Sequence, residues 1–342
     1  MRSGTPTWRS GNYRDRVMDY SCGLAPGRDA PELAALAESV GFRRIWLWDS
    51  PALHGDIWMW LALVARSTHS VGIGPGLTVP SLRHVMVTAT AAATLEQLAP
   101  GRTAIAVGTG FSARLLLGQE PMTWADLKRH IRQLKGLLRG DEVEVGDRVT
   151  QMLHMPQYAP PRPLEIPVVV AANGPKGLRV AHELGDGVMS VKTAIPGFDW
   201  SIVAGSGTVL DEGESAASPR VLQTVGPYLT MLYHYFYELP TAVDLDALPG
   251  GREWRKEVDA VPESVRHLRL HATHMVAVDE RDRSLVTAEA VRALTWTDTP
   301  VELRRRFAEF EAGGATEIYY QPSGPDLRRE IVAFARAVGI GG

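Results

Sequence analysis

The fold this sequence predicts is a (β/α)₈ barrel of the TIM type, and three observations lead to it. Short strand-like runs alternate with helical segments from residue 17 to residue 107. A complete strand, turn, helix and strand follow at 166–191, IPVVVAANGPKGLRVAHELGDGVMSV, and a last strand and helix close the chain at 316–338. Parallel strands joined by helices are buried on both faces, and eight of them close into a barrel whose chemistry lies at the C-terminal strand ends. Such a barrel needs only about 250 residues. The 342 residues are therefore read as one domain, 1–342, with insertions after strands four, six and seven at about 140–165, 192–219 and 228–265.

Composition narrows the function. At 45% apolar and 22% charged residues the chain can bury a large core. A formal net charge of −3 with no basic stripe argues against nucleic acid as a partner. Cys22 is the one cysteine, so no internal disulfide forms, which fits a reducing cytoplasm. No apolar run reaches membrane-spanning length, and the segment MRSGTPTWRSGNYRDR is too polar for a signal peptide; it reads as a frayed arm, and the protein as cytoplasmic.

Taken in order, 17–23 is strand one, and the helix 31–40 opens at Asp29 and closes at Gly41. Strand two, 44–48, ends at Asp49, and a nearly all-apolar helix follows at 57–66. Strand three, 71–74, runs into PGLTVP; the Ala- and Thr-rich helix 83–98 precedes strand four at 103–107. Helices as apolar as 57–67 and 84–98 are buried on more than one side, either in a homodimer interface or beneath an insertion; the interface is the expectation. After strand four, Gly108-Thr109-Gly110-Phe111-Ser112-Ala113 matches G-x-G-x-x-A. Two or three βα units precede it and a helix, 124–138, occupies the place of the acidic residue, so it reads as a strand-end loop and not a dinucleotide fingerprint. The prolines at 156, 160, 161 and 163 mark an irregular excursion before strand five, 168–170. Strand six is placed at 187–189, a mobile flap at 192–219, strand seven at 221–225, the helix 301–311 next, and strand eight at 316–321 before the closing helix 327–338.

The turn after strand five has an anion-binding form. Asn173 can cap the helix, Gly174 lets a ligand approach the backbone, and Pro175 suits the first helical position, so the N–H groups of Lys176 and Gly177 and the Lys176 ammonium face one point. A phosphate would fit there; an ordinary βα turn with a solvated lysine has the same sequence. The strand-end residues as a set, from Cys22 and Asp49 to Lys192, are small or backbone-rich, which suits a large, flat, phosphate-bearing cofactor. His267, His271 and His274 share one helical face, but no carboxylate or cysteine shares that stripe, so they read as buried histidines with backbone partners and no metal is expected. His84 and His54 are weaker candidates on a helix start and a loop. Tyr20 and Cys22 are placed where strand one opens into the pocket, Cys22 as a small buried hydrophobe without an adjacent base.

GIGPGLTVPSLRH, ATLEQLAPGRTAIAVGTG and PVVVAANGPKGLRVAHELGDGVM together resemble the luciferase-like flavin-dependent family, and its deazaflavin (coenzyme F420) oxidoreductase branch in particular. The resemblance covers roughly 17–192 and returns at 265–335 through HLRLHATHMVAV and TDTPVELRRRFAEFEAGGATEIYYQP. It implies a TIM-barrel dimer joined through the second and third helices. It also implies a non-proline cis peptide at Gly76-Leu77 behind the ring system, next to Thr78. Gly108, Thr109 and Gly110 with Ala171, Ala172, Asn173, Gly174, Pro175 and Lys176 would bracket the ribityl-phosphate end. Asp49 would lie near the redox ring, and Met189, Ser190 and Lys192 would line its far side; His271 or His274 would face a small organic substrate.

The implied activity is hydride transfer with F420. The alternatives are a reduced-FMN monooxygenase and a noncatalytic carrier of such a cofactor. Sugar-phosphate dehydrogenases of that branch carry histidine after the Asp49 position and glutamate after Gly-Thr-Gly; this chain has Ser50 and Phe111, so that chemistry is not expected. Phe111 and Trp48 imply an apolar pocket for a bulkier substrate or, equally, packing of the barrel mouth.

Overall fold

Eight short strands, nearly all of whose residues are buried, form one parallel sheet in a computed structural model that describes residues 18–239 and 243–341. The strands are β1 (Asp19–Leu24), β2 (Arg44–Leu47), β3 (Gly72–Pro75), β4 (Ile105–Val107), β5 (Val168–Ala171), β6 (Gly187–Val191), β7 (Ser201–Gly205) and β8 (Glu317–Tyr320). They run in the order β3-β2-β1-β8-β7-β6-β5-β4. The two edges meet: Ile73 N donates to Arg102 O (2.8 Å), Ala104 N to Ile73 O (3.1 Å), and beyond the strand Thr78 N donates to Ala106 O (2.8 Å). The sheet is thus a closed barrel, as the sequence predicts. The expected arm at 1–16, Val17 of the first strand and 240–242 of the third insertion lie outside the described residues.

The helices of eight or more described residues are α1 (Ala30–Ser39), α2 (Ile57–Ser67), α3 (Val85–Leu98), α4 (Trp124–Arg139), α5 (Pro175–Leu184), α6 (Pro219–Glu238), α7 (Gly251–Asp259), α8 (Glu263–Leu270), α9 (Pro300–Ala312) and α10 (Leu327–Val338). Their starts follow ordinary capping chemistry: the Asp56 carboxylate accepts from Trp58 N (2.9 Å) and Met59 N (3.2 Å) to open α2, and Thr123 caps α4.

The placement of strand seven is corrected. The β-branched run at 221–225 lies inside α6, not in the sheet, because Ser218 Oγ accepts from Val221 N (3.3 Å) and Pro219 takes the first helical turn. Val221, Val225, Leu229 and Tyr233 then recur at four-residue spacing and pack with Leu245, Trp254 and Val258. The true seventh strand, Ser201–Gly205, lies in the stretch read as a flap, so 192–219 is not an insertion; its flanking Gly, Ser and Asp residues mask a fully buried strand. The 140–165 excursion is a two-stranded hairpin, Val143–Val145 with Arg148–Thr150, followed by irregular chain.

Two side-chain layers result. Outward-facing residues of the strands pack beneath the helices. Inside the barrel lie Trp46, Ala104, Ala106, Val169, Met189, Ile202, Ala204 and Tyr319. At the N-terminal end Glu317 accepts from Trp46 Nε1 (3.3 Å) and Trp200 Nε1 (2.9 Å), and the Arg44 guanidinium lies 4.5 Å above the Trp200 ring. Strand alternation overturns the placement of Tyr20 and Cys22 in the pocket. Ser21 and Gly23 face inward, whereas Tyr20 packs edge-on against Phe307 and Phe334 and Cys22 is fully buried in the same outer layer, where burial raises its thiol pKa.

His130 on α4 is buried, its Nε2 has no partner among the described residues, and burial with the nearby His84 pushes its pKa down to about 4. An unfolded histidine takes up its proton near pH 6.5, so the unfolded state binds more protons between those values and stability falls as pH drops through that window. By pH 4.5 this single group costs about 2–3 kcal/mol. His130→Leu is expected to lose correspondingly less stability between pH 7 and pH 4.5 in urea unfolding; equal acid losses in both proteins would show that His130 does not carry the effect.

Candidate functional site

At the C-terminal end of the barrel, backbones approach one another unusually closely. The Gly76-Leu77 peptide is cis. Gly76 O accepts from Tyr319 Oη (3.2 Å), and that hydroxyl accepts from Trp48 Nε1 (3.0 Å), so β8 and the end of β2 both hold the end of β3. A Cβ at Gly76 would lie 2.7 Å from Trp46, one at Gly108 2.7 Å from Leu77 Cδ1, and one at Gly23 2.4 Å from Tyr319. Ala106 and Ala204 belong to the same cluster, with Ala171 packed against it, so the floor of the mouth is backbone with the Trp46, Leu77 and Tyr319 side chains packed directly against it.

Asp49 is buried, and its Oδ2 accepts from Thr78 Oγ1 (2.8 Å) and Arg83 Nη1 (2.6 Å). Arg83 also donates to Asp56 Oδ2 (3.0 Å), the cap of α2. One guanidinium therefore ties together the ends of β2 and β3 and the start of α2. Ser50 Oγ meets Ser112 Oγ at 3.3 Å. Thr109 O accepts from Met122 N (2.8 Å), and Gly110 has φ +86°.

The turn after β5 is open to solvent. Asn173 does not cap α5: its side chain pairs with the Val191 backbone (both bonds 3.1 Å), tying β5 to β6. The cap is Gly174, with no side-chain bond to the first turn, and Pro175 opens the helix. The N–H groups of Lys176 and Gly177 therefore lack a capping side chain, next to the exposed Lys176 ammonium. Gly177 is held by Trp124, 2.4 Å from its virtual Cβ. Met189 faces the barrel interior, but Ser190 faces the other way and its hydroxyl bonds Thr193 O and Ile202 O, so Ser190 does not line the mouth. Lys192, at φ +61°, has its pKa pushed down to about 8 by burial and by Arg306.

Above this floor, the insertion supplies a histidine cluster. α8 ends at Leu270, so the expected helical stripe does not form: His271 and His274 lie in the turn beyond, and His267 stays apart beside Gly118. The third member is His234 of α6, which the sequence reading missed; His271, His274 and His234 bring ring nitrogens within 4.8 Å of one another. His271 Nδ1 meets His274 Nδ1 at 2.9 Å, His271 Nε2 meets Glu238 Oε2 at 2.8 Å, and His234 Nε2 meets Asp282 Oδ2 at 2.9 Å. Burial holds His274 well below the usual histidine range, helped by the neighbouring His271, His234 and His54. Phe111 packs edge-on against His271 (5.7 Å) and Tyr235 (5.0 Å). His54 lies against Trp48 (6.1 Å), and burial lowers its pKa.

Fold and site together define a TIM barrel that carries at its C-terminal end a cis Gly76-Leu77 peptide and an exposed helix N-terminus without a side-chain cap. The chain belongs to the luciferase-like monooxygenase family, whose model matches residues 12–317. It is similar to the 5,10-methylenetetrahydromethanopterin reductase of Archaeoglobus fulgidus, 28% identical over 327 residues that cover 89% of this chain and 92% of that one. It also matches the F420-dependent glucose-6-phosphate dehydrogenase of Beutenbergia cavernae, at 32% identity over 177 residues, 47% of this chain and 51% of that enzyme. The chain thus spans about half the length of that relative, as it does of several others. Among solved structures, the coenzyme F420 dependent tetrahydromethanopterin reductase of Methanopyrus kandleri superposes with a TM-score of 0.64 over 94% of this chain and 98% of that one; at 18% identity this likeness concerns the fold.

Removing Arg83 leaves the Asp49 carboxylate buried without its cation, a loss of about 3–5 kcal/mol. Arg83→Met is expected to destabilise by that order in urea unfolding, and adding Asp49→Asn should recover part of it. Strictly additive losses in the double variant would show that the pair is not coupled.

Proposed function

We propose that this protein is an oxidoreductase that uses coenzyme F420, reduced or oxidised, to pass a hydride to or from a small organic substrate in the cytoplasm. The alignment carries the reading: over most of its length the chain aligns with a reductase of methylenetetrahydromethanopterin, and glycines at 76 and 108 let Trp46 and Leu77 pack against backbone at the barrel mouth. The floor and the uncapped turn fit a flat ring with a phosphate tail. F420, when bound, supplies two-electron hydride chemistry.

The residues divide the work. Gly76, Leu77 and Thr78 would back the ring, Gly108 to Gly110 and Ala171 to Lys176 would bracket its phosphate end, and Met189 and Lys192 would border the far side. Asp49 acts by position, because its carboxylate is already committed to Thr78 and Arg83. Trp48, His54 and Phe111 would wall the substrate side, and His54 and His274, kept largely neutral at pH 7, are the groups available for proton exchange. His271 is fully enclosed between Glu238 and His274, so it orients its neighbour. Ser50 and Phe111 leave no acid–base pair for sugar-phosphate oxidation. The family's monooxygenase model favours a second reading, reduced FMN with oxygen in the same mouth.

Fluorescence titration with F420 and with FMN separates the readings. Micromolar or tighter F420 binding, with FMN at least about tenfold weaker, is expected. Micromolar FMN binding without F420 binding would overturn the first reading, and F420 binding without turnover over a substrate panel would indicate a carrier. A Cβ at Gly174 meets nothing within 4 Å, so Gly174→Val with Lys176→Glu leaves the fold intact. That variant should lose F420 affinity about tenfold or more; unchanged affinity would place the phosphate elsewhere.

A homodimer through α2 and α3 completes the proposal. Met59 and Leu63 on α2 and Val87 on α3 are exposed. So are Leu153, Met155 and Tyr158 from the segment that His154 Nε2 joins to Thr90 Oγ1 (3.5 Å). These residues make one helical face and its flank apolar, beyond what scattered surface residues require. Light scattering should give a dimer that Met59→Glu with Val87→Glu converts to monomer; a monomeric parent protein would contradict the interface.

A further inference from the structure

We propose that His234, His271 and His274 form a binding site for a divalent transition-metal ion of the zinc class, coordinated through their three Nδ1 atoms at the edge of the barrel mouth. The site is assembled by the insertion, with one ligand from α6 and two from the turn after α8. It stands independently of the cofactor reading.

The protons make the argument. Asp282 and Glu238 accept at the Nε2 atoms of His234 and His271, so those nitrogens carry the hydrogens and both Nδ1 atoms present lone pairs. His234 Nδ1 is buried with no hydrogen-bond partner among the described residues. His271 and His274 share one proton between Nδ1 atoms 2.9 Å apart. Three inward nitrogens thus hold a single hydrogen, and one buried acceptor is left unsatisfied, which native interiors rarely tolerate. A dication satisfies all three: it takes the lone pairs of His234 and His271, and His274 binds through Nδ1 as its other tautomer, the proton moving from Nδ1 to Nε2.

Geometry and charge agree. Tetrahedral zinc–imidazole bonds of about 2.0–2.1 Å place ligand nitrogens about 3.4 Å apart. The 2.9 Å His271–His274 separation and the 4.8 Å limit on the group bracket that distance. Carboxylates behind ligating histidines fix the tautomer and raise ligand basicity. Here Asp282 is itself held by Trp254 Nε1 (2.8 Å) and Arg281 Nε (3.2 Å). Two carboxylates, one of them shared with Arg281, stand behind three neutral imidazoles and favour a cation among them. An all-imidazole set favours zinc, copper, nickel or cobalt over calcium or magnesium, whose ligands are oxygens. Three ligands leave a fourth position for water or a substrate oxygen. Phe111, which follows the Gly108 to Gly110 loop, packs directly on two of the three rings.

Tag-free protein, stripped with a chelator and dialysed, is titrated calorimetrically with Zn²⁺ and spectroscopically with Co²⁺. The expected result is one ion per chain at submicromolar affinity, with no net proton release at pH 7 when the titration is repeated in buffers of different ionisation enthalpy, because all three imidazoles are neutral before and after binding. His234→Gln keeps an amide for Asp282 but offers no imidazole nitrogen, and His274→Ala removes the least enclosed ligand; each should weaken binding about 100-fold or more while circular dichroism stays native. A folded parent protein that binds neither ion below micromolar concentrations overturns the proposal, as does binding that both variants retain. The readout is metal affinity, so its failure is separable from failure of the F420 titration.

Discussion

The approach of β3 to β4 is the constraint on which the mouth depends. A Cβ at Gly74 would stand 1.8 Å from the carbonyl oxygen of Ala104, so only glycine allows the two backbones to meet and the barrel to close. Closure brings the Gly76-Leu77 peptide over the barrel interior, where Trp46 fills the space beneath and Tyr319 holds the Gly76 carbonyl. The hydroxyl of Tyr319 lies in full burial and has both a donor and an acceptor partner, so its interactions are made in a medium that strengthens them. Glycines at 23, 76 and 108 then extend the same economy of side chains across the floor.

Around that floor the polar residues are arranged to hold elements together. Arg83 joins Asp49 to Asp56, Asn173 joins β5 to β6, and Glu317 joins two tryptophans at the opposite end of the barrel. Titratable groups able to exchange protons come instead from the loop after β2 and from the insertion, through His54 and His274. His54 thus comes from the loop after β2 and His274 from the chain between β7 and β8.

Much of the barrel is legible because its strands are short apolar runs bounded by Gly and Pro, β-branched at 168–170 and glycine-rich at 72–76. Ser201–Gly205 was hidden because Gly, Ser and Asp surround it, and 221–225 misled because Val and Thr at a helix start look like a strand until Ser218-Pro219 is read as a cap. Tyr20 and Cys22 were placed on the wrong face of β1: the alternation was visible, but its phase was fixed only by Gly23 meeting Tyr319. The histidine cluster was half visible. His271 and His274 were singled out by spacing, yet the helix that would have added His267 stops at Leu270, and the partner that replaces it, His234, lies 37 residues earlier in the chain, where no local pattern points to it.

The central claim is that the glycine floor and the α5 N-terminus together receive one F420 molecule. A crystal structure of the protein with F420 tests it most directly. The account predicts the ring against the Gly76-Leu77 peptide and the phosphate at the N–H groups of Lys176 and Gly177. A ring bound elsewhere, or a phosphate held away from α5, would contradict it.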